Sequence, residues 1–412
     1  MSDFIQLAVI WTSVYLAILA AQKTKLTPML YFLAFGTILV NIGIIPEEGS
    51  PFIRGFGEMG IIVVMFALGF EENSKTFISS IKRSWGIALF GAIAPFITAY
   101  SIAIYFWQDH HLAIMFGLAM TATAVSLTMV SLKSEGLQAS APATGIMTAA
   151  VLDDIASLIL VAILVPLASG EAEITAVSLL TISAKVLSFF AIVTIAGAWI
   201  FPHDSTGLFA RIPILGKYGF RNLLNFGNGE HSTLTLLLFA LVNGILAHEF
   251  GFHPAVGAYM AGLILREEYF VLDPDGDEDH YQATKRIIDN VAFSWLGPVF
   301  FVGLGAKMII EWDILVSVLP QTAALTLGIF FTQISSAGLA ARYTAGFNAK
   351  ESLLIGLGML GRAELAFVVI DIAYVQHSIL TTEAFYTLMI TAFFLNLSVP
   401  LSIRMWKNRF DP

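Results

Sequence analysis

Residues 141–167 read APATGIMTAAVLDDIASLILVAILVPL, an apolar run long enough to cross a bilayer with two adjacent acids, Asp153 and Asp154, near its middle. A carboxylate at the bilayer centre costs at least about 2.5–3.5 kcal/mol on insertion scales, so two in succession need a function or a partner. Ion or proton transport is the usual function of such residues. The span therefore points to a membrane protein whose chemistry sits at mid-depth.

Composition agrees. Hydrophobic residues make up 57% and charged residues 12%, with a mean hydropathy of +0.80, and a soluble domain would be far more charged. Apolar runs of crossing length recur over 4–22, 28–45, 56–73, 84–107, 111–131, 141–167, 176–201, 231–249, 253–270, 288–308, 313–341, 351–376 and 381–403. These predict an all-α integral membrane protein of about thirteen helices, organised as a single transmembrane domain over residues 1–412. The first run lacks a basic n-region and a small-residue cleavage site, so it reads as a retained helix. The chain has no cysteine, which excludes disulfides and thiolate chemistry.

An odd helix number puts the termini on opposite sides, and basic loop residues then set the orientation. With the N-terminus outside, the inner loops and tail collect Lys23, Lys25, Lys82, Arg83, Lys133, Arg211, Arg342, Lys350, Lys407 and Arg409, among others, and the outside keeps Arg54 and Lys307. The expected location is a cell membrane, the inner one in a bacterium, with the C-terminus in the cytoplasm. The net charge of −9 gives no support to nucleic-acid binding.

Two spans carry features that interrupt a helix at membrane depth. The fifth contains TATAVSLT, with Thr121, Thr123, Ser126 and Thr128; the twelfth contains GLGMLGRAEL, with Gly356, Gly358, Gly361, Arg362 and Glu364. They lie seven helices apart, and an odd offset makes the two copies run in opposite directions. The pattern predicts inverted repeats, about 4–167 and 231–403, joined by a linker over 168–230 whose segment 206–230 is amphipathic. Close helix packing alone also uses Gly and Thr in this way; the neighbouring acids favour a transporter.

At TATAVS (121–126), AAVLDDIASL (149–158) and GRAELAFVV (361–369) the chain resembles the monovalent cation:proton antiporter family, in the branch of bacterial Na+/H+ antiporters and K+/H+ efflux proteins. The resemblance covers nearly the whole chain. It implies a mobile core domain, a scaffold that forms a homodimer, and elevator-like alternating access. It also makes Asp154 the acid that binds cation or proton, Asp153 its neighbour, and Arg362 with Glu364 the charged pair of the second broken helix. Electrogenic members carry a Lys, paired with the binding acid, where this chain has Gln333. A neutral amide cannot release a proton, which favours electroneutral exchange or the K+/H+ side of the family, although paired acids are more typical of two protons per Na+.

Protons and cations compete for the oxygens of such a carboxyl pair. Successive helix residues point about 100° apart, so the two acids cannot face one spot equally. Ser157, one turn on, and the hydroxyls of Thr121, Thr123 and Ser126 are candidates to complete an oxygen shell for a monovalent cation; a divalent ion would ask for more carboxylates. No cofactor is expected beyond the transported Na+ or K+ and H+. The acidic run Asp273–Asp279 has its Gly misplaced for a calcium loop. An intramembrane aspartyl protease places its acids on facing helices, so the chain reads as a carrier and not an enzyme. A cation channel and an ion sensor remain as alternatives that flux measurements separate. With no nucleotide-binding motif visible, a cytoplasmic regulatory domain is expected to be absent, separate or removed.

Overall fold

The computed structural model describes residues 2–24, 26–71, 74–138, 140–170, 175–195, 223–224, 230–265, 267–270, 280–362 and 364–410; of 74–83, 125–126, 176, 194 and 268 it describes the backbone. The amphipathic linker segment and the acidic run at 273–279 lie largely or wholly outside these residues. The described helices are α1 (Asp3–Thr24), α2 (Pro28–Asn41), α3 (Pro51–Glu71), α4 (Ser74–Trp107), α5 (His110–Ala119), α6 (Val125–Ser134), α7 (Ala141–Ala168), α8 (Ala176–Ile195), α9 (Ser232–Glu249), α10 (Pro254–Leu263), α11 (His280–Asn290), α12 (Gly297–Ala306), α13 (Trp312–Ser317), α14 (Leu319–Tyr343), α15 (Ala349–Gly358), α16 (Glu364–Asp371) and α17 (Thr382–Phe410). Two π-helical turns, Val291–Leu296 and Ile372–Gln376, interrupt the regular pattern.

Eight described helical stretches are long and apolar enough to cross a membrane, among them Ala141–Ala168, Leu319–Tyr343 and Thr382–Phe410. The structure corrects some expected limits. The span placed at 288–308 starts at His280, because the largely polar helix His280–Asn290 continues into the apolar helix through the π turn. Similarly, α4 extends back to Ser74 beyond its apolar part, Ser84–Trp107. The span placed at 28–45 ends at Asn41, because Gly43 takes a positive φ of 73° and Ile44 N turns back to Leu39 O at 2.9 Å, closing the helix end; Asn41 Nδ2 donates to Met308 O at 2.9 Å in the chain after α12.

Helix starts follow local sequence. Ser140 accepts from Ala143 N and Pro142 occupies the first turn of α7, while Asn348 and Glu351 form a reciprocal capping box at the start of α15. Asp109 accepts from His111 N and Leu112 N to open α5.

The chain divides into two compact units. The first comprises Met1–Trp11, Gly49–Thr76 and Thr175–Phe300. Here α3 and α10 touch backbone to backbone: a Cβ on Gly69 would lie 2.1 Å from Tyr259 O and one on Gly262 2.3 Å from Phe66 O. Small residues give membrane helices this closeness without a hydrophobic drive. At one end of this unit Lys285 pairs with Asp289 at 3.4 Å and Glu71 at 3.7 Å.

The second unit comprises Thr12–Glu48, Phe77–Ile174 and Phe301–Pro412. It packs α7 against α5, α6 and α15, and α17 against α6, α14 and α15. Both interrupted helices and both adjacent acids fall in this unit, so its interior positions the site.

Candidate cation site at the helix crossing

The first interruption separates α5 from α6 and the second separates α15 from α16. The sequence signals named the right places: hydroxyl residues in one, glycines and charges in the other. The two breaks meet, with Thr123 and Arg362 forming an antiparallel bridge and Ala124 N donating to Gly361 O at 3.0 Å. Gly361 eases this approach, because a Cβ there would stand 3.0 Å from the Ala124 Cβ and 3.3 Å from Asn396 Oδ1, tighter than ordinary contact.

Each break leaves helix ends to satisfy. Thr121 Oγ1 donates to Gly117 O at 2.7 Å, so its hydroxyl closes the end of α5. Thr128 Oγ1 donates to Gly358 O at 2.6 Å and to Ala124 O at 3.0 Å, tying the start of α6 to the end of α15. Arg362 Nη1 reaches Met359 O at 3.4 Å and Gly361 O at 3.2 Å, placing a cation beside the carbonyl end of α15. Glu364 sits in the first turn of α16, where an acid faces the positive end of the helix dipole.

Asp153 enters this crossing from α7. It is fully buried, and its Oδ2 accepts from Thr123 N at 3.1 Å and from Thr123 Oγ1 at 2.7 Å. Asp153 and Arg362 attract one another electrostatically. The other oxygen, Oδ1, and the buried Ser157 Oγ one turn along have no hydrogen-bond partner among the described residues. Asp154, on the adjacent side of α7, is part-exposed. The two acids thus differ in surroundings as their helical spacing requires: one is sealed and pinned, the other partly open. The Ser126 side chain lies outside what the structure describes.

Gln333 on α14 is fully buried. Its Oε1 accepts from Arg362 Nη2 at 3.0 Å and its Nε2 donates to Gly91 O at 3.1 Å, so its described partners are the arginine and a backbone carbonyl. One contributor has no counterpart among the candidates read from sequence. Asn396 on α17, fully buried, accepts from Arg362 N at 2.6 Å and donates to Arg362 O at 3.0 Å, holding the second break by its backbone. A lone Asn in the apolar run TAFFLNLSV was its signal. Among the described residues no three His, Cys, Asp or Glu side chains converge.

The pattern of the family described as sodium/hydrogen exchanger, transmembrane, matches residues 9–406. This chain belongs to that family. The resemblance to monovalent cation:proton antiporters drawn from its motifs is therefore borne out. The chain is 28% identical over 346 residues to the probable Na(+)/H(+) antiporter GerT of Bacillus cereus, a match covering 81% of this chain and 82% of that one. It is 26% identical over 340 residues to the Na(+)/H(+)-K(+) antiporter GerN of Bacillus cereus, covering 81% and 79%. In fold it is similar to the sodium proton antiporter MjNhaP1 from Methanocaldococcus jannaschii, with a TM-score of 0.68 at 16% identity over 98% of both chains.

Proposed function

We propose that the protein is a secondary active antiporter that exchanges a monovalent cation, Na+ before K+ or Li+, for protons by alternating access. The observation that carries this reading is the unequal placement of the paired acids at the crossing. Asp153 is sealed against Thr123, whereas Asp154 keeps part of its surface open. A carried ion has to arrive from water and return to it, so Asp154 is the acid that binds cation or proton. Asp153 positions the crossing and, through Oδ1 with Ser157, offers oxygens nearby. Neutral Gln333 brings no proton of its own, which favours electroneutral exchange. The relatives' names, Na(+)/H(+) and Na(+)/H(+)-K(+) antiporter, agree with this substrate class.

The finer architecture belongs to the same proposal. Thirteen helices form two inverted repeats, 4–167 and 231–403, about the linker 168–230, with the N-terminus outside a bacterial inner membrane and the C-terminus in the cytoplasm. The carrier works as a homodimer in the bilayer. The test is proton movement in proteoliposomes after addition of Na+, K+ or Li+, with the membrane potential clamped or free. Cation-driven proton movement that ignores voltage is expected. A K+ response stronger than the Na+ response would make it a K+/H+ exchanger, and cation flux that needs no proton would make it a channel.

A further inference from the structure

Helix α4 contains Pro95. A proline inside a helix has no N–H for the carbonyl four residues back, here that of Gly91. Within a membrane, a carbonyl freed in this way must find another donor in the protein. Gly91 O finds it in Gln333 Nε2, and a Cβ at residue 91 would stand 3.3 Å from that nitrogen, so the glycine opens the approach. The bond also fixes the sense of the amide. A carbonyl takes only a donor and a guanidinium takes only an acceptor, so Nε2 faces Gly91 and Oε1 faces Arg362.

The consequence falls on Arg362. Its Nη1 is committed to the Met359 and Gly361 carbonyls and its Nη2 to Gln333. Its Nε has no hydrogen-bond partner among the described residues, and neither has Asp153 Oδ1. Arginine and carboxylate left to themselves close into a two-pronged ion pair. Here the fork is turned onto carbonyls and an amide instead.

We infer that Gln333, aimed by the carbonyl that Pro95 releases, is a positioning residue that holds Arg362 off Asp153 and keeps Asp153 Oδ1 available at the crossing. The inference rests on the antiport reading and deepens it. An Arg362 closed onto Asp153 would compete with the cation for its oxygens. Gln333 therefore sets how tightly the cation binds more than how fast the loaded carrier turns over.

The test is the apparent KM for Na+ and the maximal rate of Na+-driven proton movement in proteoliposomes. The proteins compared are the unaltered chain, Gln333→Met, Pro95→Ala, Gly91→Ala and the double variant Pro95→Ala/Gln333→Met. Gln333→Met is expected to raise KM about tenfold, the size of one charge-assisted hydrogen bond, with the maximal rate changing far less. Pro95→Ala restores a competing N–H for Gly91 O and Gly91→Ala presses on Nε2, so both should raise KM by less. Pro95→Ala should add nothing once Gln333 is Met, because both act through one bond. If Pro95→Ala does not fold, Gly91→Ala in the Gln333→Met background completes the same cycle. Additive effects, or an unchanged KM in an active Gln333→Met protein, would overturn the inference while leaving antiport standing. Absence of cation-driven proton movement in the unaltered protein overturns both.

Discussion

Between Ala119 and Val125 the first interrupted helix brings no charge of its own, whereas between Gly358 and Glu364 the second brings Arg362, with Glu364 opening the next helix. The first break closes with hydroxyls, Thr121 to its own helix and Thr123 to Asp153, and so borrows its charge from α7. The second is held by fixed groups: the arginine on its own carbonyls and Asn396 on the arginine's backbone. One half of the crossing is a receptor for a titratable acid, and the other is a permanently charged frame. On the antiport reading proposed above, exchange chemistry belongs to the acids of α7, with Asp154 as the binding acid beside the pinned Asp153, and stability belongs to the frame.

The largest expected effect is on the borrowed side. Asp154→Asn should reduce cation-driven proton movement in proteoliposomes to that of empty vesicles, with the purified protein still folded; persistent exchange would remove the assignment of Asp154. Asn396→Leu attacks the frame. It strips Arg362 N and O of their partners at a fully buried site, so thermal unfolding in detergent should show a loss of about 2–4 kcal/mol. Thr123→Val keeps the backbone N–H to Asp153 and removes the hydroxyl. It should cost stability only about 1–2 kcal/mol while changing the apparent cation affinity. If Asn396→Leu altered affinity and Thr123→Val altered only stability, the division between receptor and frame would be reversed.

Much of this was legible in sequence because the membrane makes polar residues conspicuous. Two acids in an apolar span, a cluster of hydroxyls and a Gly-rich stretch ending in Arg and Glu each violate the cost of burying polarity in lipid, and all of them lie in the second unit. The helix limits at Ser74 and His280 were not legible, since hydropathy marks where lipid is met and not where hydrogen bonding stops. Nor were the π turns; in the first of these Trp295 O accepts from Trp11 Nε1 at 3.1 Å, a partner far away in sequence. The same limit hid Asn396 and the link from Gly91 to Gln333 to Arg362. Each is a single residue whose meaning depends on what stands across from it.

The smallest effect concerns how the frame reaches the receptor half. Lys407, near the end of α17, donates to Glu135 O and lies 3.8 Å from Glu135 Oε2, just past the end of α6. The helix that carries Asn396 is thereby tied at its far end to the helix that follows Thr123. Ion pairs with access to water contribute about 0–1 kcal/mol and weaken with salt, so Lys407→Ala should lower thermal stability by no more than that, and less at high ionic strength. The backbone bond from Nζ adds a part that salt does not screen well. A loss that disappears entirely at high salt would mean that charge alone makes the tie, whereas one that persists would show the α6 end held by hydrogen bonding, so that frame and receptor are joined at both ends of the crossing.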